Sequence, residues 1–292
     1  MDLEKIKQKK TIQELLEFGI INIDKSSGPT SFNVSEFVKK KLGLRKTSHF
    51  GTLDPKVTGV LPVSLNRACK LMGYFLGANK EYVGIMRMHE DISLEKINEK
   101  IKEKFLGEII QMPPVKSRVK RQLRPRTIYK FELLEKDKTD ILFKVECEGG
   151  TYIRALCNDL GKELKVGAHM LELRRTRAGI FKEDSLVNLY DFEKAVDAWK
   201  NGDEELLREI IIPADIVGEV YPVVEINNGN LKSILTGKPI YKKDLKGSTK
   251  VKKEDDIVVF CEGKFIGMYE VIRNKELFAK AKFVMQPLGD KK

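Results

Sequence analysis

Apolar residues recur along the chain with two periods, and the period marks each element. GIINIDK (19–25) reads as a strand running into the turn-rich SSGPTS (26–31). In NVSEFVKKKLG (33–43), Val34, Phe37, Val38 and Leu42 recur at helical spacing and Gly43 supplies the stop, so the spacing predicts an amphipathic helix. Residues 11–17 predict a short helix, RACKLMGYFLG (67–77) another, and SLEKINEKIKEKF (93–105) a third with Ser93 as N-cap. KEYVGIMRMHE (80–90) alternates as a strand does, as do ILFKVECEGG (141–150) and HMLELRRTRAGIF (169–181). TYIRALCNDLGKEL (151–164) predicts a helix opened by Thr151, and YDFEKAVDAWKNG (190–202) one closed by Gly202.

Strands and helices mix without regular βαβ alternation, so the larger part of the chain is expected to be α+β, with a mixed, largely antiparallel sheet and flanking helices. Beyond about residue 217 the pattern changes. Short β-like segments (YPVVEI, DIVVFCEGKFIGMYEVI, AKAKFVMQPLG) alternate with glycine turns, which predicts a small β-rich second domain. The expected division is 1–217 and 218–292, joined through IIIPADIVGEV (210–220).

Composition narrows the class. No apolar run approaches the roughly 18 residues a membrane span needs. The charged, helix-like N-terminus lacks the features of a signal peptide, so a cytoplasmic location is expected. Cys69, Cys147, Cys157 and Cys261 are scattered and only three His are present, which speaks against a zinc site and for reduced, partly buried thiols. Fifty-four Lys and Arg against 43 Asp and Glu give a net charge of +11. An excess of that size favours a polyanionic partner if it is clustered. It is clustered: Lys116, Arg118, Lys120, Arg121, Arg124, Arg126 and Lys130 occur with no acid among them. Pro125 and two preceding prolines break a helix there, so a basic, mobile loop between strands is expected. Lys is dense again from 232 to 253, around Lys242 and Lys243.

The segment HFGTLDPKVTGVLPV (49–63) is mostly apolar, Gly and Pro, yet one carboxylate, Asp54, stands in its middle. Pro55 pushes Asp54 toward extended backbone, and Gly51 and Gly59 permit tight turns beside it. An acid on such a loop is either a turn former bonding its own backbone or a working group on a rigid scaffold. His49 lies in the same loop, and Tyr82 and Arg154 lie in other segments. Spacing alone leaves each with a bland alternative: surface residue, core residue, ion-pair partner.

Five ordered motifs carry a resemblance. IDKSSGPTS (23–31), SHFGTLDPKVTGVLPV (48–63), KEYVGIMRMHED (80–91), GGTYIRALCNDLG (149–161) and GAHMLELRRTRAGIF (167–181) resemble those of the TruB family of pseudouridine synthases. The match is to its archaeal and eukaryotic branch, the dyskerin-like catalytic subunits of H/ACA ribonucleoproteins. Ser26 departs from the first motif, which has Pro after the Lys. The C-terminal region resembles a PUA domain, a small RNA-binding β barrel, on which residues 1–17 are expected to pack.

The resemblance implies an isomerase that converts uridine to pseudouridine in RNA without metal or organic cofactor. Asp54 would be the nucleophile or base, Arg154 its charge partner, and Tyr82 the ring stacked on the extruded uracil. His49, Leu173 and Lys25 would contact substrate. The basic residues Lys116 to Arg126, with Lys242 and Lys243, would contact RNA phosphates. Whether Asp54 attacks base or ribose, or removes a ribose proton, stays open. The implied substrates are tRNA, at the T-loop uridine 55, and ribosomal RNA directed by an H/ACA guide RNA. The guided version implies small H/ACA proteins, including a kink-turn-binding protein, and no membrane. The rivals are a non-catalytic RNA-binding scaffold, which the retained Asp54, Tyr82 and Arg154 argue against, and a methyltransferase, which would need a glycine-rich cofactor loop the sequence does not contain.

Overall fold

The structure, a computed structural model, describes residues 2–113, 120–248, 250–272 and 276–285. Its contacts divide the chain into two units. One comprises 20–65 and 72–211, the other 1–19, 66–71 and 212–292. The division thus falls at 211/212, where the sequence pattern suggested 217/218, and a short internal segment belongs with the C-terminal unit.

The larger unit is built on one sheet. Its strands are β1 (Gly19–Lys25), β2 (Thr47–His49), β3 (Thr58–Leu65), β4 (Lys80–Met88), β5 (Gly107–Gln111), β6 (Arg124–Asp137), β7 (Asp140–Cys147), β8 (Ala168–Ala178) and β9 (Phe181–Lys182). They run in the order β1-β3-β8-β4-β7-β6-β5, with β2 on β3 and β9 on β8. The β3–β8 pair is parallel, and its neighbours are antiparallel. Helices α3 (Ser31–Leu42), α4 (Met72–Leu76), α5 (Leu94–Lys104), α6 (Ile153–Glu163), α7 (Leu189–Lys200) and α8 (Glu205–Ile210) accompany it. The expected α+β class with a largely antiparallel sheet is therefore what the chain adopts.

Local chemistry accounts for most boundaries. Thr30 caps α3 by accepting the Asn33 N–H, and Gly43 ends it in the left-handed region at φ 64°. Ser93 caps α5 as expected. Two expectations fail. The basic run is not loop throughout: from Arg124 onward it is strand β6, with Arg124 and Arg126 registered against Gln111 and Ile109 of β5. Pro125 is tolerated there because it sits at the start of the strand, opposite Ile110. Nor does Thr151 cap α6. The N-cap is Tyr152, which makes no side-chain capping bond, while the Thr151 hydroxyl donates to Glu148 O at 2.8 Å.

The second unit holds α1 (Leu3–Lys9), α2 (Ile12–Glu17), β10 (Ile212–Pro213), β11 (Val223–Glu225), α9 (Leu231–Leu235), β12 (Ile240–Tyr241), β13 (Asp256–Cys261), β14 (Lys264–Val271) and β15 (Leu277–Val284). The helix expected over 67–77 is divided: Asn66–Leu71 form a separate 3-10 turn, and these residues belong to this unit. Five strands pair in the order β11-β13-β14-β15-β12. A bridge from Ile226 to Leu245, with Lys246 N–H to Glu225 O at 2.9 Å, brings the two ends of that order together and gives a barrel-like closure. Its core is aliphatic, from Val224, Ile234, Ile240, Ile257, Val259 and Ile266, around the buried Tyr269 ring. Phe18 lies tilted against Phe265 with ring centroids 4.6 Å apart, so the N-terminal segment packs against a strand of this unit.

Candidate active site

The loop carrying Asp54 is held from below by three polar anchors. Lys25, fully buried at the end of β1, donates its ammonium to the carbonyls of Ser26, Pro55 and Val57 at 2.9, 2.9 and 2.8 Å. Ser31, at the start of α3, accepts the Leu53 N–H at 2.8 Å and donates to the Leu53 carbonyl at 3.0 Å. Arg175, 1% exposed, donates Nε to Val60 O and Nη2 to Gly51 O. Apolar pins complete the hold: Leu53 and Val57 are buried, and Phe50 stacks on Phe75. The turn is also tied to the first motif by Gly28 N–H to Pro55 O at 2.9 Å. Ser26, in place of the motif's Pro, enters through its carbonyl, which accepts the Lys25 ammonium and which a Pro would also offer.

On this support Asp54 points outward. Its carboxylate receives Arg154 Nη1 at 3.2 Å, and both side chains are more than half exposed. The acid is thus open to solvent, and Arg154 reaches it from the first turn of α6. Tyr82, on β4, is 8% exposed and registered opposite Arg175 of β8. Burial raises the pKa of its phenol; the Arg175 guanidinium opposes this by charge and by a hydrogen bond, and Asp54 adds to the rise. Tyr82 therefore keeps its proton near neutral pH.

His49 ends β2, with Nε2 3.0 Å from Thr52 Oγ1. Burial, and then the charge of Arg175, lower its pKa, so the ring is neutral at pH 7. Leu173 is buried on the face of β8 that also carries Arg175. It packs where Gly84 of β4 leaves room: a Cβ there would meet Leu173 Cδ1 at 2.8 Å.

Asp54, Tyr82, Arg154, His49 and Leu173 are therefore carried on one sheet face, the loop above it and the helix beside it. Lys25 requires a correction. Its three donors are spent on loop carbonyls and none of its surface is exposed, so it braces the site rather than binding substrate. Burial lowers its pKa, against a smaller opposing pull from the charge of Asp54.

Lys120 and Arg121 are exposed, as are Lys242 and Lys243 in the other unit. Arg126 is mostly buried, with Nη1 3.5 Å from Glu148 and its guanidinium against Gly150. Lys116 and Arg118 lie outside the described residues. Sequence reasoning missed two buried cations. Arg175 follows Leu173 by two residues, so strand alternation turns it inward with that leucine. Lys80, two residues before Tyr82 on the same strand face, donates to Leu76 O and Ala78 O at 2.6 and 2.5 Å.

Residues 39–153 match the model of the TruB family pseudouridylate synthase N-terminal domain, and residues 154–217 that of the tRNA pseudouridylate synthase B C-terminal domain. A protein of Methanopyrus kandleri named probable tRNA pseudouridine synthase B is 47% identical over 79% of this chain and 68% of its own length. One of the same name from Methanocaldococcus jannaschii is 43% identical over 91% and 80%. Among solved structures, a chain of a Cbf5-Nop10-Gar1 complex superposes with TM-score 0.87 at 39% identity, over 96% of this chain and 89% of that one. A chain of an H/ACA RNP bound to a substrate RNA containing 2'-deoxyuridine gives 0.87 at 36%, over the same shares. The chain belongs to the TruB family of pseudouridine synthases and is an isomerase.

Proposed function

We propose that the protein isomerises uridine in RNA as the catalytic subunit of an archaeal H/ACA ribonucleoprotein, and acts also on the T-loop uridine 55 of tRNA. The observation that carries the guided reading is the likeness, over nearly the whole chain, to chains of complexes described as containing Nop10, Gar1 and H/ACA RNA. The relatives' name supports the tRNA reading. On this reading the small partners are Nop10-like and Gar1-like proteins and a kink-turn-binding protein. The C-terminal unit is a PUA-type domain that holds the guide RNA.

The reaction breaks the bond between ribose C1′ and uracil N1 and forms one from C1′ to C5. A proton leaves C5 and N1 gains one, so nothing is added or lost overall. The base must leave its stack to be turned, which costs a few kcal/mol. Tyr82 and Leu173 supply the ring face and apolar wall that offset this. Asp54 is the group that bonds to, or takes a proton from, the nucleotide. Arg154 keeps a cation against that carboxylate as RNA displaces water from the open site, where an uncompensated charge would be costly. Neutral His49 stands on the same loop as a hydrogen-bonding brace for the RNA at the vacated position.

The test uses unmodified tRNA and a guide–target RNA pair, with pseudouridines mapped in each. Wild type is expected to modify the guided site and uridine 55. Asp54→Ala is expected to form none while binding RNA within about threefold of wild type, since phosphate contacts carry the affinity. Retained activity in that variant removes Asp54 from the chemistry, and activity on tRNA alone removes the guided role.

A further inference from the structure

Arg154 is a long side chain with two thirds of its surface exposed, so packing does little to aim it at Asp54. Its direction depends on the backbone of the first turn of α6. That turn begins without a side-chain cap from its own sequence. Four N–H groups at such an end have no partner within the helix.

One partner comes from elsewhere in the sheet. Gln111, the last residue of β5, is 3% exposed although its side chain is a primary amide. Burying an amide is costly unless both ends are bonded. Its Oε1 accepts the Tyr152 N–H at 2.9 Å, and its Nε2 donates to the Tyr152 carbonyl at 3.2 Å. The two bonds treat Tyr152, extended at φ −99° and ψ 99°, as one more strand residue. They also fix the amide's orientation, because the flipped form would set donor against donor and acceptor against acceptor.

A second brace holds the same turn from behind. Glu148 accepts the Thr127 N–H at 3.1 Å, and its own carbonyl accepts the Thr151 hydroxyl. That brace ends at Thr151. Gln111 grips the backbone of the residue between it and the helix, at both its N–H and its carbonyl.

We propose that Gln111 is a positioning residue for the isomerisation: its amide clamps the backbone of Tyr152 and so fixes the turn that presents Arg154 to Asp54. The inference rests on the reading of Asp54 and Arg154 as the reacting centre. Gln111 touches neither, and it works through the helix start alone.

The experiment uses the full chain in five forms: wild type, Gln111→Leu, Gln111→Glu, Arg154→Lys and the Gln111→Leu/Arg154→Lys double variant. Single-turnover pseudouridine formation at saturating RNA, RNA affinity, thermal melting and amide exchange of the 149–156 segment are measured. Gln111→Leu is expected to lower the rate by about tenfold or more, since small misplacements of a catalytic group cost up to about a hundredfold. RNA affinity should stay within about twofold. Gln111→Glu keeps the acceptor and loses the donor, so it should fall between. On the Arg154→Lys background the leucine change should add little, as expected for residues acting through one another. Exchange in 149–156 should quicken in Gln111→Leu. A rate within twofold of wild type, unchanged exchange, or a loss that multiplies undiminished with Arg154→Lys overturns the proposal. If wild type itself modifies neither RNA, the functional reading falls, and the exchange measurement still decides the clamp.

Discussion

Three buried cations, Lys25, Lys80 and Arg175, lie beneath a site whose own acid is exposed. Their donors go to backbone carbonyls, so positive side chains take the place of regular hydrogen bonding where the chain is irregular. At this scale Asp54 was legible because Pro and Gly flank it and no neighbour shares its character. The cations were not, because a sequence does not show whether a Lys spends its donors inward or outward. Lys80 has a measurable signature. Burial, with a smaller push from Arg175, lowers its pKa from 10.5 to about 8. Below pH 8 it is charged in both folded and unfolded states, and the burial penalty is carried in full. Between about 8 and 10.5 the folded protein gives up the proton while the unfolded chain keeps it. The unfolded state then binds more protons, so stability rises with pH, by about 3 kcal/mol across the window for a shift of this size. Urea unfolding of wild type and Lys80→Met at pH 7, 8.5 and 10 checks this. The stability difference between the two should move toward wild type by about that amount, and a flat difference contradicts it.

The element scale turns on how β3 and β8 meet. Their short parallel contact sets Gly59 beside Arg175, and a Cβ on Gly59 would come within 2.2 Å of the Arg175 carbonyl oxygen. Backbone cannot yield there without parting the strands that carry the loop and its Arg anchor. Gly202 has the same φ of 97° but open space around it. Gly202→Ala should therefore show only the backbone strain, about 1 kcal/mol, while Gly59→Ala should lose at least about 3 kcal/mol and pseudouridine-forming activity with it. Equal losses in the two would mean that the close approach costs nothing. Periodicity revealed most elements, including α3, α5, α7 and the strands β4 and β7. It failed where partners from afar decide: Thr151 looks like a cap, but Gln111 of another strand bonds the helix start. The basic run looked like loop because its charges mask a two-residue period on an edge pair, where both faces can be wet.

For the whole molecule, charge dominates the expected behaviour. The net +11 includes exposed Lys120, Arg121, Lys242 and Lys243. Four phosphate contacts on single-stranded RNA predict roughly a fifty-fold loss of affinity for a fourfold rise in salt, from a slope of about −0.7 per contact. Filter binding at 50 and 200 mM checks it, and a change below about threefold would remove these cations from the interface. The change of pattern near residue 217 announced a second body. The part of residues 66–71 in it was not legible, because Ala68, Cys69 and Leu71 are apolar in a way that any nearby core could use. The make-up of that body also bears on how the protein is made. Phe18 emerges early from the ribosome, yet its aromatic partner Phe265 is added near the end of translation. At about 5–20 residues per second the opening segment waits roughly 10–50 s for its cover. A nascent chain cut short before β14 would carry Phe18 without the ring it is shaped to meet.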